Sequence, residues 1–275
     1  MAEESETTLR RGMSILFALG STEALEDGGL GVVRIAEIIG REKSQASRTL
    51  KTLEACGLLT RDPESLLYRL SWELFALASR AGDHHLVEAA RQVLEVVVAR
   101  VEETAYLTVM QGTDVLTVLC QQSARIIQSR DMVGQTTPAY CSSAGRALLM
   151  DQSEAHIRLL FADVTFEQRA PNAPRDVDDL IARVAQARGS GIAVAEEEFE
   201  PGLLGIAAPV RDSGGRIVAA VNVSGPNPRL AERLPQACAE ISSGARELST
   251  QLGWGAVELA AVGASTRSSR LEGGR

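Results

Sequence analysis

Arg41-Glu42-Lys43-Ser44-Gln45-Ala46-Ser47-Arg48-Thr49-Leu50-Lys51 holds both lysines of the 275-residue chain; every other cationic side chain besides histidine is an arginine. The stretch is locally basic in a protein of formal net charge -8. Ala46, Thr49 (by its methyl), Leu50 and Leu53 recur at helical spacing, with Ser44, Gln45, Ser47, Arg48 and Lys51 on the remaining faces. Such a helix can neutralise phosphates and set hydrogen-bonding side chains against base edges. A solvated helix face is the alternative for this stretch taken alone.

The flanking residues decide between the two. Upstream, Val33 to Ile39 reads as a short amphipathic helix, with Gly40 suited to its C-terminal cap. Ser44 is the expected N-cap of the helix that follows. The gap of about four residues is the length a helix-turn-helix needs. Downstream, Cys56-Gly57 ends the second helix. Leu58 to Asp62 and Leu66 to Leu70 then read as two strands joined by a turn at Pro63-Glu64-Ser65. An earlier helix, Leu9 to Leu19, is expected to turn Met13, Leu16, Phe17 and Leu19 inward. The sum is a winged helix-turn-helix over residues 1–70. On it, Gln45 and Arg48 would reach base edges, while Lys43, Lys51 and Arg61 hold phosphates and Arg41, Ser44 and Ser47 belong to the same DNA-binding set.

Further along, Ser71 to Ala81, with Trp72, Leu74, Phe75, Leu77 and Ala78, reads as a helix packing back on the wing. Gly82-Asp83 interrupts it. His85 to Glu103 reads as a long helix, apolar over a wide arc and suited to a connector with more than one buried face. These linker helices span 71–104. Ala105 to Met110 and Val115 to Cys120 flank Gly112-Thr113-Asp114, a hairpin signal. Helices are expected at Ser142 to Met150, Ser153 to Leu160 and Val177 to Arg188. Strands are expected at Ile192 to Ala195, Gly205 to Val210 and Ile217 to Val223. Leu230 to Leu252 closes the domain as a helix broken or bent near Gly244. The pattern is α+β: an antiparallel sheet with helices against it over 105–252, then a disordered tail over 253–275.

Composition narrows the chemistry. At 45% hydrophobic and 23% charged, the chain can fill real cores and is ordinary for a soluble protein. No apolar run approaches the roughly 18 residues of a membrane span. Met1 to Glu6 is acidic and lacks the apolar stretch of a signal peptide, so a cytoplasmic location is expected. Cys56, Cys120, Cys141 and Cys238 have neither metal-ligand nor redox-pair spacing and read as small buried hydrophobes. Adjacent His84 and His85 diverge on a helix, and His156 stands apart, so no metal and no cofactor are expected. No nucleophile motif is present, which argues against an enzyme.

The second domain carries a string of motifs. Gly191-Ile192-Ala193-Val194-Ala195-Glu196-Glu197-Glu198-Phe199-Glu200-Pro201-Gly202 leads to Ile206-Ala207-Ala208-Pro209-Val210 and to Val221-Asn222-Val223-Ser224-Gly225-Pro226. This resembles the signature region of the IclR family of bacterial transcription regulators. Pro138 to Met150, with Ala144-Gly145-Arg146-Ala147-Leu148-Leu149, resembles that family's H-A-T-A-x-G-K-A-L-L segment. The winged helix fits through Ile35-Ala36-Glu37 and through Ser44 to Glu54 ending in Gly57-Leu58-Leu59. The likeness runs over about residues 9–250. It implies a GAF-like effector domain, a homodimer or dimer of dimers (a homotetramer), a roughly palindromic operator in double-stranded DNA, and a small-molecule effector, commonly an organic or aromatic acid. A repressor of a catabolic or metabolic operon is the expected role, with an activator as the alternative. An enzyme with a DNA tether stands further off, and a module whose winged helix binds protein further still.

The resemblance also places an effector pocket. It would be lined by Tyr140, Ser142, Ser143 and Ala144, by Ala195, by Leu204 and Gly205, and by Asn222 and Ser224, with Met132 and Val133 nearby. Several of these depart from the family pattern. Ala195 replaces an acidic residue, Gly205 a cysteine, Asn222 a serine and Tyr140 a histidine. Small residues at 195 and 205 enlarge the pocket, and Asn222 adds an amide that donates or accepts. A ligand bulkier than a 2-oxo acid, with a polar end, is the expectation. Other roles stay open: Ser142 or Ser143 as an N-cap, Tyr140 as core, Met132 and Val133 as packing beneath a loop. The Glu196-Glu197-Glu198 run reads as a solvated edge.

Overall fold

The computed structural model describes residues 8–78 and 84–255. The acidic first residues, the break at Gly82-Asp83, the tail from Ser265 and the side chain of Phe75 lie outside the described residues. Contacts divide the chain between His84 and His85. The long helix expected as a connector therefore counts with the second unit, because its apolar face closes on that unit's sheet.

The first unit runs α1 (Thr8–Leu19), α2 (Thr22–Glu26), α3 (Val32–Ile38), α4 (Lys43–Ala55), β1 (Leu59–Arg61), β2 (Tyr68–Leu70) and α5 (Trp72–Ala78). Its core is Ile15, Leu19, Leu30, Ile35, Leu50, Leu59 and Tyr68. Gly40 ends α3 at φ +63, where a glycine costs little. The N–H groups of Gly40 and Arg41 then close on the carbonyls of Glu37 and Ala36 at 3.1 and 2.9 Å. This hydrogen-bonded stop sets α4 across α3. β1 and β2 pair antiparallel as the wing, with Leu59 opposite Leu70.

Three expectations for this unit need correction, and one element went unread. α1 turns Gly12, Ile15, Ala18 and Leu19 inward, not Met13 and Phe17. Burying Ile15 rotates Phe17 about 200° away, leaving it 70% exposed. Ser44 lies inside α4, whose N-cap is Glu42 with no side-chain cap bond. Trp72 and Leu77 of α5 are exposed rather than packed back. The short helix α2, capped by Ser21 through the N–H of Ala24, went unread because five residues carry no period.

The second unit continues with α6 (His84–Val101), β3 (Thr104–Gln111), β4 (Asp114–Gln121), β5 (Thr136–Pro138), α7 (Ser143–Leu149), α8 (Glu154–Leu160), α9 (Val177–Ser190), β6 (Ala193–Glu196), β7 (Leu203–Arg211), β8 (Ile217–Pro226), α10 (Asn227–Ala231) and α11 (Leu234–Gln251). Its strands form one six-stranded sheet in the order β5-β4-β3-β8-β7-β6. Every pairing is antiparallel. Along each strand successive residues serve opposite faces. Leu107, Leu204, Ile206, Val221 and Val223 pack against α6 and α11. Ala193, Ala207 and Ala220 face α7 and α9.

α11 runs unbroken through Gly244, contrary to the expected bend. A Cβ there would lie 2.8 Å from Val97 Cγ2 of α6, so the glycine lets two helices touch. The interruption falls earlier, at Glu232-Arg233, just before Pro235. α6 buries Leu86, Ala90, Val93, Leu94, Val97 and Val101 on one side, while Val96 is exposed, so its burial is one-faced.

Candidate functional site

In the first unit, α4 is anchored by Ala46, Thr49 and Leu50, all buried. That anchorage leaves Arg41, Lys43, Ser44, Arg48 and Lys51 exposed, with Gln45 and Ser47 half-buried. Among the described residues no carboxylate lies within ion-pair distance of Lys43, Arg48 or Lys51; the Arg48 guanidinium touches only the carbonyl of Ser44, at 3.4 Å. Arg34 on α3 is the contrast, held by Glu23 at 2.5 Å and Glu37 at 3.2 Å. Arg61 is partly committed within the wing. Its guanidinium lies 5.3 Å from the centroid of the Tyr68 ring and 3.4 Å from the carbonyl of Leu66. Unpaired cations on the exposed face of a helix-turn-helix are what a phosphate-lined groove attracts.

In the second unit, the sheet face opposite α6 and α11 is only partly covered. Toward one end of the strands it floors a cavity of about 500 Å³, within the range of small-molecule sites. Tyr106 and Thr108 come from β3, Val115 and Thr117 from β4, Ala195 from β6, Gly205 from β7, and Asn222 and Ser224 from β8. Cys141 to Ala144 form one wall, Phe199 to Gly202 another, and Ile127 to Arg130 with Met132 a third.

Eight of the expected pocket residues meet there: Met132, Ser142, Ser143, Ala144, Ala195, Gly205, Asn222 and Ser224. Three do not. Leu204 is buried on the other sheet face with α6 and α11, because it alternates with Gly205. Tyr140 is core: its ring lies 4.7 Å from that of Phe166, and its hydroxyl accepts the N–H of Glu167 at 3.0 Å. Val133 is half exposed and takes no part in the lining. Tyr106, Thr108, Thr117, Arg130 and Phe199 were missed. The hydroxyl residues at alternate positions of β3 and β4 were the available signal, since a strand facing only core would not carry them.

The floor is neutral and already partly hydrogen-bonded. Thr108 Oγ1 lies 3.3 Å from Asn222 Oδ1. Ser224 Oγ donates to Ser129 Oγ at 2.9 Å, and Ser129 Oγ donates to the carbonyl of Ser224 at 3.1 Å. The Tyr106 hydroxyl donates to the carbonyl of Arg130 at 2.8 Å. Burial pushes the Tyr106 phenol and the Cys141 thiol each up to about 12, so both stay uncharged at neutral pH. Ser142 Oγ caps α7 by accepting the N–H of Gly145 at 3.0 Å.

Behind the wall, the expected solvated edge holds at Glu196, which is exposed, and fails at Glu198. Glu198 is 3% exposed and meets Arg146 of α7 at 2.7 Å and Arg183 of α9 at 2.9 Å. Burial pushes the Glu198 carboxyl up and the Arg146 guanidinium down, and each ion opposes the shift in the other. The pair ties the Phe199–Gly202 wall to two helices. Of the cysteines expected to be buried, Cys56 is exposed at the end of α4 and Cys120 and Cys238 are intermediate.

A winged helix-turn-helix carried on one chain with a sheet domain that holds a ligand-sized, hydrogen-bonding cavity defines a class: the DNA-binding regulator that senses a small molecule. The chain belongs to the IclR family of bacterial transcriptional regulators, matching its C-terminal domain over residues 78–250 and its helix-turn-helix domain over residues 8–63. It is 26% identical over 244 residues to the regulator KdgR of Escherichia coli K12, covering 88% of this chain and 93% of that one. It is 26% identical over 255 residues to the repressor AllR of the same strain, covering 92% and 93%. An IclR homologue from Microbacterium hydrocarbonoxydans, solved with 4-hydroxybenzoate, shares the fold at a TM-score of 0.76 and 22% identity, covering 90% of this chain and 99% of that one. The protein is thus a ligand-responsive transcriptional regulator. No helix among the described residues is long and apolar enough to cross a membrane.

Proposed function

We propose that the protein represses a metabolic or catabolic operon and releases it when a small organic or aromatic acid enters the cavity of the second unit. The observation that carries this is the cavity itself: its floor offers hydroxyls and one amide, and its walls include the apolar side chains of Ile127, Met132 and Phe199. That is a surface for holding a molecule with one polar end and a flat apolar body. AllR, a relative over most of the chain, is named a repressor, and the Microbacterium homologue was solved with 4-hydroxybenzoate. Both support this reading. α4 is the helix proposed to enter the major groove, with Gln45 and Arg48 toward base edges and Arg41, Lys43, Ser44, Ser47, Lys51 and Arg61 toward the backbone. The working assembly is a homodimer or a pair of dimers, so that two wings read two half-sites. Its place of action is the cytoplasm, with the DNA, and it works by binding rather than catalysis.

The test is a gel shift with the DNA upstream of its own gene, repeated with a panel of aromatic and aliphatic acids. A complex that one acid dissolves at submillimolar concentration supports repression. A complex that persists with the acid bound, while transcription rises, reverses the sign to activation.

A further inference from the structure

Glu102, the residue that follows α6, has φ +60. Residues with a side chain rarely enter that left-handed region, and the glycine that commonly ends a helix this way is absent. Among the described residues, Leu66 and Glu197 are the other non-glycine residues at positive φ. The Glu102 N–H closes the last turn of α6 on the carbonyl of Val98 at 2.8 Å. Its carbonyl accepts two donors from the loop after β4, Ser123 Oγ at 2.8 Å and Arg125 Nε at 3.2 Å. Its carboxylate pairs with Arg125 and, at 3.2 Å, with Arg233. The carboxylate and Arg125 are both exposed, and such pairs contribute little. The two bonds to the carbonyl are therefore what hold the backbone of Glu102.

The next two residues grip the same loop. Glu103 is 2% exposed, and Arg229 takes both its carboxylate oxygens, at 2.5 and 2.8 Å. Arg229 Nη2 also donates to the carbonyl of Ile127 at 2.9 Å. Gly225 leaves the room this needs, since a Cβ there would lie 2.5 Å from Glu103 Oε2. Thr104 Oγ1 accepts the N–H of Ser123 at 3.2 Å and lies 3.2 Å from the carbonyl of Ser129. The loop held in this way continues as the third wall of the cavity, Ile127 to Arg130. Glu102, Glu103 and Thr104 thus tie one cavity wall to the end of α6, and the first of them does so in a costly conformation. Such a residue persists only where its surroundings over-determine it.

We propose that Glu102 is a latch: Ser123 and Arg125 hold it in the left-handed conformation, and when their loop loosens, Glu102 leaves that conformation and the last turn of α6 reorders with it. The order of the cavity wall and the order of the α6 end then form one two-state variable. α6 begins where the second unit begins, so along the chain it is the element that leads back to the DNA-binding unit. A change at its end lies on the covalent route to α4. Having glutamate rather than glycine at this turn is what makes the latch depend on the loop, because glycine keeps a positive φ unaided. The latch holds whichever molecule fills the cavity.

The experiment is hydrogen exchange on the full-length protein, paired with titration of the DNA upstream of its own gene. The double variant Ser123→Ala, Arg125→Ala removes both donors to the Glu102 carbonyl and leaves the Glu103–Arg229 pair in place. Exchange should rise about tenfold in the loop from Gln122 to Arg130 and also in the last turn of α6. Operator affinity should change about fivefold or more. Adding Glu102→Gly should restore the α6 turn and the operator affinity while the loop stays fast. A merely structural contact would not be rescued by removing a further ion pair. If the double variant does not fold, Arg125→Ala alone, which loses exposed contacts only, is measured in the same way. A loop that loosens, or one that stays as it was, while the α6 turn keeps wild-type protection overturns the latch. So does a Glu102→Gly addition that leaves the α6 turn fast. Loosening of both segments with unchanged operator affinity overturns the regulatory role.

Discussion

The Ser143 hydroxyl occupies space that a side chain on residue 205 would need: a Cβ built on Gly205 would lie 2.9 Å from Ser143 Oγ. Gly205 of β7 and Ser143 of α7 are thus fitted to each other across the cavity floor. Gly205→Ala should cost about 1–3 kcal/mol, the usual range for overpacking. Urea denaturation of the full chain measures it. Adding Ser143→Ala should recover most of the loss, because the two residues act through one contact. A Gly205→Ala protein as stable as wild type would show that Ser143 moves aside freely.

Arg48 and Lys51 sit on the exposed face of α4 with no carboxylate partner among the described residues. If α4 reads the major groove, Arg48→Ala should cost about 1–3 kcal/mol of operator affinity and relax preference at one base pair. Lys51→Ala should weaken all sequences alike and lower the salt slope by about one ion. Binding curves at several salt concentrations separate the two. Unchanged operator affinity in Arg48→Ala would remove that side chain from the interface.

Leu9, Met13 and Phe17 form a stripe at every fourth residue on the outer face of α1, with Phe17 70% exposed. An apolar stripe of this kind suits a subunit contact. Light scattering at micromolar concentration should give at least twice the chain mass of 29.3 kDa. Phe17→Glu should shift the particle toward the single-chain mass and weaken operator binding with it. A variant that stays dimeric would move the contact to another face.

Glu198 is the shared partner of Arg146 and Arg183, at 2.7 and 2.9 Å. Glu198→Ala would strand the buried Arg146 guanidinium, a loss of about 3–5 kcal/mol by analogy with other broken buried pairs. Replacing Arg146 and Glu198 together by methionine should recover most of it, since no buried charge is then left alone. Thermal unfolding of the single and double variants gives the comparison. A single variant as stable as wild type would mean that water reaches Arg146.

Most elements were legible because their signals are local. The spacing of Ala46, Thr49 and Leu50, the glycine after α3, and the turn residues between β3 and β4 each constrain only their own neighbourhood. β5, only three residues long, and α10 were not seen, since neither is long enough to show a period. Within the site, Asn222 and Ser224 were reachable through motif order and strand alternation. Arg130 was not, because nothing in the irregular run from Gln122 to Gln135 says which of its residues meet the cavity.

By itself, then, the sequence determined the longer helices and strands, that the basic helix belongs to a winged helix-turn-helix, and that an antiparallel sheet with helices against it follows. Tertiary structure decided which face each side chain serves and what it meets there. Leu204 and Gly205 are neighbours in sequence, yet one fills the core beneath α6 and α11 and the other floors the cavity. Tyr140 is claimed by Phe166, and Glu198 by arginines on two helices distant in sequence. Phe17 is left outward because Ile15 takes the core position. The physical reason is common to all four. Hydrogen-bond periodicity along a chain is set by near neighbours, whereas burial depth, ion pairing and the side of a sheet depend on partners that only folding brings into contact.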